Sequence, residues 1–234
     1  MAEKIAVVTG AARGIGKAIA VELLKTGVFT ALCSKSRRSV DSLETEISSF
    51  AGKFIASSVD ISVEDEIRRF ISSVGREKGR IDILINNAGV VYTAPVEKTG
   101  IEQWDEMMAV NARGTFLMVK HALPLMSRGS HIVNIGSNAS KKGFPGWAAY
   151  CASKFAVLGF TNSLREELRD RGIKVSAVLP GPTRTDIWDS LDGEWDRTRM
   201  MSPEVTAKAV LSVINQPSEA NIDEIDIVPS TGNL

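Results

Sequence analysis

The chain is poor in residues that staple or chelate: two cysteines, Cys33 and Cys151, and two histidines, His121 and His131, among 234 residues. Neither pair has zinc-ligand spacing or a carboxylate pattern around it, so a disulfide framework is excluded, no metal site is expected, and the histidines read as structural. Two unpaired thiols point to a reducing, cytoplasmic compartment. Charge of one sign is also lacking: 28 basic residues balance 28 acidic ones. That excludes a chain-wide cationic surface, and no nucleic-acid partner is expected. No stretch approaches the roughly 20 apolar residues of a membrane span, and Glu3 and Lys4 precede only a short apolar run, unlike a secretory leader. No repeat, low-complexity tract or Pro/Ser-rich linker divides the chain, which predicts one domain over 1–234. With 44% hydrophobic and 24% charged residues, a domain of this length buries a core without covalent help.

What is present is an alternation of short β-rich apolar runs with helical stretches, the pattern of an α/β fold whose parallel sheet is covered on both faces. The runs predict strands over Ile5–Thr9, Phe29–Cys33, Phe54–Ser58, Ile81–Asn86, His131–Ile135, Val175–Leu179 and Ile222–Val228. Helices are predicted over Gly16–Lys25, Val40–Phe50, Val63–Gly75, Ile101–Ser127, Ala149–Asp170 and Pro203–Asn215. Ser62, Gly172 and Pro203 supply start and stop signals. The least regular segment, 186–201, mixes Trp188, Trp195, Met200 and Met201 with acids and arginines and reads as a mobile flap.

The first strand runs into Thr9-Gly10-Ala11-Ala12-Arg13-Gly14-Ile15-Gly16 and then a helix. Glycines there let backbone approach a phosphate, and the helix start offers free N–H groups and a positive dipole end to a pyrophosphate. A plain glycine-rich turn is the bland alternative, and the strand–turn–helix context argues against it. The spacing is Gly-xxx-Gly-x-Gly rather than the commoner dinucleotide pattern. Asn86-Asn87-Ala88-Gly89 follows the fourth strand, Ser137 the fifth, and Tyr150-Cys151-Ala152-Ser153-Lys154 lies on the next helix. Together, in this order, these motifs resemble the short-chain dehydrogenase/reductase family over essentially the whole chain. The resemblance implies a Rossmann-type, doubly wound parallel sheet of seven strands that binds a nicotinamide dinucleotide.

Tyr150 and Lys154 stand four apart on a predicted helix and so share a face. An isolated pair of this kind is more often an amphipathic surface pair. A neighbouring ammonium, however, is expected to lower a tyrosine pKa from its usual value near 10 toward neutrality. The resemblance implies that Tyr150 exchanges a proton with the substrate oxygen, that Lys154 also holds the nicotinamide ribose, and that Ser137 helps stabilise charge developing on that oxygen. Asn111, within the predicted helix Ile101–Ser127, matches the family's fourth catalytic position, with an implied relay through water to Lys154. As a mediocre helix former it is also expected to open the backbone ladder there.

Cofactor choice is read at the end of the second strand, where an acid accepts the ribose hydroxyls of NAD and repels the 2′-phosphate of NADP. Ser34, Lys35 and Ser36 stand there instead, and with Arg13 they offer donors and positive charge, so NADP(H) is expected. By resemblance Asp60, with Ile61, meets the adenine; Asp60 is equally a helix N-terminal acid. Pro180-Gly181-Pro182-Thr183-Arg184-Thr185 matches the loop that orients the carboxamide, through Pro180, Gly181, Thr183 and Thr185. Asn87, Ala88 and Gly89 complete the cofactor set.

The substrate is expected between cofactor and flap, near Val91, Tyr92, Phe144, Trp147 and Trp188. Lys141 and Lys142 offer charge to an acidic or carrier-bound substrate, or are a solvated turn. The reading that results is an NADPH-dependent oxidoreductase that reduces a ketone or 3-oxoacyl-type carbonyl reversibly to a secondary alcohol. Alternatives are a 3-hydroxy-acid or small-alcohol dehydrogenase, an epimerase or dehydratase of the same fold, and a non-catalytic dinucleotide sensor. Relatives imply a homodimer or homotetramer through Ile101–Ser127 and Ala149–Asp170, with Phe155, Leu158, Phe160 and Leu164 available for that contact or for the core.

Overall fold

In a computed structural model, which describes residues 3–191 and 193–232, the strands form one parallel sheet in the order β3-β2-β1-β4-β5-β6-β7. They are β1 Ile5–Thr9, β2 Phe29–Ser34, β3 Phe54–Ser58, β4 Ile83–Asn86, β5 His131–Ile135, β6 Lys174–Pro180 and β7 Glu224–Ile227. Parallel pairing demands a crossover between successive strands, and right-handed crossovers place helices on both faces. The strands are accordingly buried on both sides. Ile5 and Val7 of β1 enter one core with helix α3 (Glu64–Lys78), α5 (Thr115–Ala122) and α6 (Ala148–Leu168). Ala6 and Val8 enter the other, with α1 (Gly14–Lys25), α2 (Arg37–Glu46) and α7 (Pro203–Ile214). Burial of a side chain such as Leu84 or Leu32, neither exposed at all, contributes about 1.5–3 kcal/mol.

Three predicted boundaries shift for visible reasons. Helix α2 begins at Arg37 because the Ser36 hydroxyl accepts from the Ser39 N–H, and it stops at Glu46 before a 3-10 turn over Ser48–Phe50. The expected single helix Ile101–Ser127 is three pieces: α4 (Ile101–Met107), a π-helical segment over Met108–Gly114, and α5. Pro124 then closes it in a 3-10 turn, Leu123–Leu125. Asn111 lies inside the π segment, where the ladder is opened as its residue type predicts. Strand β4 starts two residues late because Asp82 instead accepts the Ile5 N–H on its carboxylate at 2.7 Å.

The strand order reverses between β1 and β4, since β1 pairs with β2 on one side and β4 on the other. Crevices in doubly wound sheets open at the carboxyl ends of strands at such a switch point. The main cleft lies there.

Candidate active site

The cleft has a volume of about 530 Å³ and runs from the loop after β2 to the flap. At its centre the glycine loop lies against the loop after β4. The Thr9 hydroxyl accepts from the N–H groups of Asn87 and Ala88, both at 3.0 Å, and the Asn87 amide donates back to the carbonyls of Thr9 and Gly10. The approach is so close that a Cβ on Gly16 would stand 2.2 Å from the Gly10 oxygen. Gly10 and Gly14 have φ of +63° and +55°, the left-handed region that glycine tolerates. Helix α1 starts at Gly14 with no side-chain cap and no acid in its first turn. Its N–H groups and dipole are therefore free for an anion, and this cradle fits a dinucleotide pyrophosphate.

Gly10, Arg13, Gly14, Ile15, Ser34, Lys35, Asp60, Ile61, Asn87, Ala88, Gly89, Ser137, Tyr150, Lys154, Pro180, Gly181, Thr183 and Thr185 all line this one cleft. Gly16 and Asn111 support it from behind. Asn111 is buried; its amide oxygen accepts from the Val90 N–H at 2.8 Å, and its nitrogen donates to the Val90 carbonyl and the Ser153 hydroxyl, each at 2.9 Å. It thus clasps both polar groups of the Val90 backbone.

At the far end α6 carries Tyr150 and Lys154, with the Lys154 ammonium 5.8 Å from the phenol ring centre. Lys154 is buried and donates to the Ile135 carbonyl at the end of β5, at 3.1 Å. Burial drags its pKa down to about 8. The expected effect on Tyr150 is not the one found. Burial pushes the phenol up to about 12, against the pull of its hydrogen bond with Ser137. The cost of burying a phenolate there exceeds the help of that hydrogen bond, so the resting tyrosine is protonated at neutral pH.

Two further charge readings change. The end of β2 holds no acid, but the fold brings one to it: the Asp60 carboxylate meets the Lys35 ammonium at 2.8 Å. Burial raises the Asp60 carboxyl, and its hydrogen bonds with Lys35 and Ser62 outweigh this and hold it below the usual range. Lys141, offered to an acidic substrate, is instead engaged by Glu224 and Asp226 of β7, and Lys142 rests over the Phe144 ring at 4.9 Å.

The flap is anchored. The Trp188 indole donates to the Thr183 carbonyl at 2.7 Å, Thr183 pairs with Met201, and Asp189 pairs with Arg197. Val91, Phe144, Trp147 and Trp188 line the cleft as expected, whereas Tyr92 turns aside and donates to Glu106 at 2.6 Å. Trp195 and Leu191, which no local motif distinguishes, complete the wall.

This crevice, with its glycine cradle and its Ser–Tyr–Lys head, defines a dinucleotide-binding oxidoreductase fold. Residues 4–195 match the short chain dehydrogenase family, and the chain belongs to it. It is 34% identical over 227 residues to a 3-oxoacyl-[acyl-carrier-protein] reductase of Synechocystis sp., covering 94% of this chain and 92% of that one. It is 33% identical over 236 residues to glycine betaine reductase ATRR of Emericella nidulans; that match takes in 97% of this chain but spans only 19% of the relative's length. Among solved structures, an alcohol dehydrogenase of Thermococcus sibiricus complexed with 5-hydroxy-NADP superimposes with a TM-score of 0.90 at 25% identity, over 100% of this chain and 99% of that one.

Proposed function

We propose that the protein is an NADPH-dependent carbonyl reductase, forming a secondary alcohol reversibly. The observation that carries this reading is the placement of Tyr150 at the head of the cleft, hydrogen-bonded with Ser137 and with the Lys154 ammonium 5.8 Å from its ring centre. A phenol with a pKa near 12 holds its proton at neutral pH, so it serves as donor to a carbonyl oxygen rather than as resting base. When bound, the nicotinamide dinucleotide supplies hydride to the substrate carbon. Ser137 orients the carbonyl oxygen toward the phenol, and Tyr150 delivers the proton as negative charge develops there. Lys154, ionised below about pH 8, keeps positive charge behind the tyrosine and steadies the phenolate left by proton transfer until solvent returns the proton. Asn111 holds the Val90 backbone and Ser153 beside this pair, and the water relay implied for it belongs to the same reading.

Preference for NADP(H) over NAD(H) is supported by the absence of an acid at the end of β2, by Arg13 and Lys35 on the cleft wall, and by the 5-hydroxy-NADP of the Thermococcus structure. Lys35 would exchange Asp60 for the doubly charged 2′-phosphate. Asp60 with Ile61, and the Pro180–Thr185 loop, take the adenine and carboxamide ends. The same reading includes one catalytic domain, a reducing cytoplasmic setting for the free thiols of Cys33 and Cys151, and a homodimer or homotetramer. Exposed Phe116 and Phe155, 47% and 46% accessible on α5 and α6, support that assembly; Leu164 belongs to the core.

Side-by-side fluorescence titration with NADPH and NADH, on wild type and Tyr150→Phe, tests the proposal. The variant is expected to lose at least about 1,000-fold in turnover while binding NADPH nearly as wild type does. Wild-type turnover in the variant overturns the role of Tyr150, and tighter NADH binding overturns the cofactor assignment.

A further inference from the structure

The substrate end of the cleft is built from rings. Trp147 packs against Tyr150 with ring centres 5.6 Å apart, and against Trp188 and Trp195, each at 6.1 Å. Trp188 and Trp195 meet at 4.9 Å, and Phe144 adds a further ring at 6.4 Å from Trp147. The proton-donating phenol is thus the last member of a continuous aromatic wall carried by two separate segments, the start of α6 and the flap. Such a wall presents broad, flat, polarisable surface beside the reacting oxygen, and rings prefer to meet it edge-to-face or offset-stacked.

The charges of the cleft lie elsewhere. Lys35 interacts with Asp60 and Glu106 at the end of the cleft beside β2, and Lys154 is committed to the Ile135 carbonyl behind the tyrosine. At the flap the one charged lining side chain among the described residues is Asp186, an acid. Lys142 lies over the Phe144 ring but does not line the cleft, so no lining cation is placed there to pair with a carboxylate, and a carboxylate buried without a partner is strongly penalised.

On the footing of the carbonyl-reductase reading, we infer that the substrate is a neutral ketone bearing an aryl or similarly broad planar apolar group, or the corresponding alcohol, and not a keto acid. The aromatic wall takes the planar group while the carbonyl oxygen faces Tyr150 and Ser137. Reduction then moves hydride from the nicotinamide to the carbonyl carbon and the phenolic proton to its oxygen, leaving the oxidised cofactor and a neutral aryl carbinol.

The test compares propiophenone, ethyl acetoacetate, acetoacetate and a trimethylammonium ketone as substrates with NADPH, and as ligands by quenching of tryptophan fluorescence. Propiophenone is expected to exceed acetoacetate in kcat/KM by at least about 100-fold and ethyl acetoacetate by at least about tenfold. Trp195→Ala is expected to narrow the propiophenone to ethyl acetoacetate ratio at least about fivefold, and Trp195→Phe to restore most of it. Preference for acetoacetate or for the trimethylammonium ketone, or an unchanged ratio in Trp195→Ala, overturns the inference. If no ketone is turned over, the reductase reading falls; the fluorescence ranking still decides the wall, with selective propiophenone binding supporting it and equal or weaker binding than acetoacetate refuting it.

Discussion

Lys154 shows how a single side chain trades stability for a task. Its ordinary pKa of 10.5 is lowered to about 8 by burial, so below pH 8 the folded protein carries a charge that the unfolded chain solvates better. Between about 8 and 10.5 the unfolded state binds the extra proton, and stability rises with pH across that window. Lys154→Met removes the buried charge and forfeits only the bond to the Ile135 carbonyl, worth about 1 kcal/mol. The variant is expected to be inactive yet more stable at pH 7 by about 2 kcal/mol, several degrees in Tm. Thermal unfolding at pH 7 and pH 9.5 checks this, because the advantage should shrink as the wild-type ammonium discharges. A variant less stable than wild type at both pH values would show that the ammonium is stabilising. From sequence the identity of this residue is plain, through the Tyr150–Lys154 spacing, but the direction of its neighbour's shift is not. Spacing along a helix reports which groups meet; the balance of burial against Coulomb attraction depends also on walls contributed by Pro182 and Trp188, remote in sequence.

Among the elements, the π segment Met108–Gly114 is the one that local rules describe least well. Periodicity across Ile101–Ser127 reads as one helix because its apolar positions continue through the wide turn. The only local hint is Asn111, and its reason is tertiary: the side chain must reach the Val90 backbone and Ser153. Asn111→Ala leaves the half-buried N–H and carbonyl of Val90 without their partners, for a loss of about 1–3 kcal/mol. Urea denaturation is the check, and an unchanged midpoint would mean that the π segment holds itself open. Strand positions, by contrast, were legible nearly to the residue, since β1, β3 and β5 are apolar runs bounded by turn residues. The flap was legible as irregular but not as anchored, because the Trp188–Thr183 and Asp189–Arg197 contacts leave no periodic trace. For the same reason the sequence places Trp195 in the flap but not on the cleft wall.

At the scale of the whole molecule, stability toward acid is set partly at the opposite end of the sheet. His131, at the start of β5, is buried against the Ser176 hydroxyl at 2.8 Å, and burial, with Lys174 and Lys4 nearby, lowers its pKa to about 4. The unfolded chain takes up this proton near 6.5 and the folded one does not. Stability from this group is therefore complete above about pH 6.5 and lost as pH falls toward 4, by up to about 3 kcal/mol. His131→Gln should flatten the fall in urea midpoint between pH 6.5 and 4.5; an unaltered slope would assign acid sensitivity to the carboxylates instead. The topology also has a temporal side. Strands β1 to β4, the first to be synthesised, are also spatial neighbours, in the order β3-β2-β1-β4, so every pairing among them is available once residue 86 has left the ribosome. The nucleotide cradle needs only Asn87 and Ala88 beyond that point, whereas Ser137, Tyr150 and Lys154 are still unmade. During translation the part of the protein proposed to grip a phosphate is thus complete well before the part proposed to move a proton.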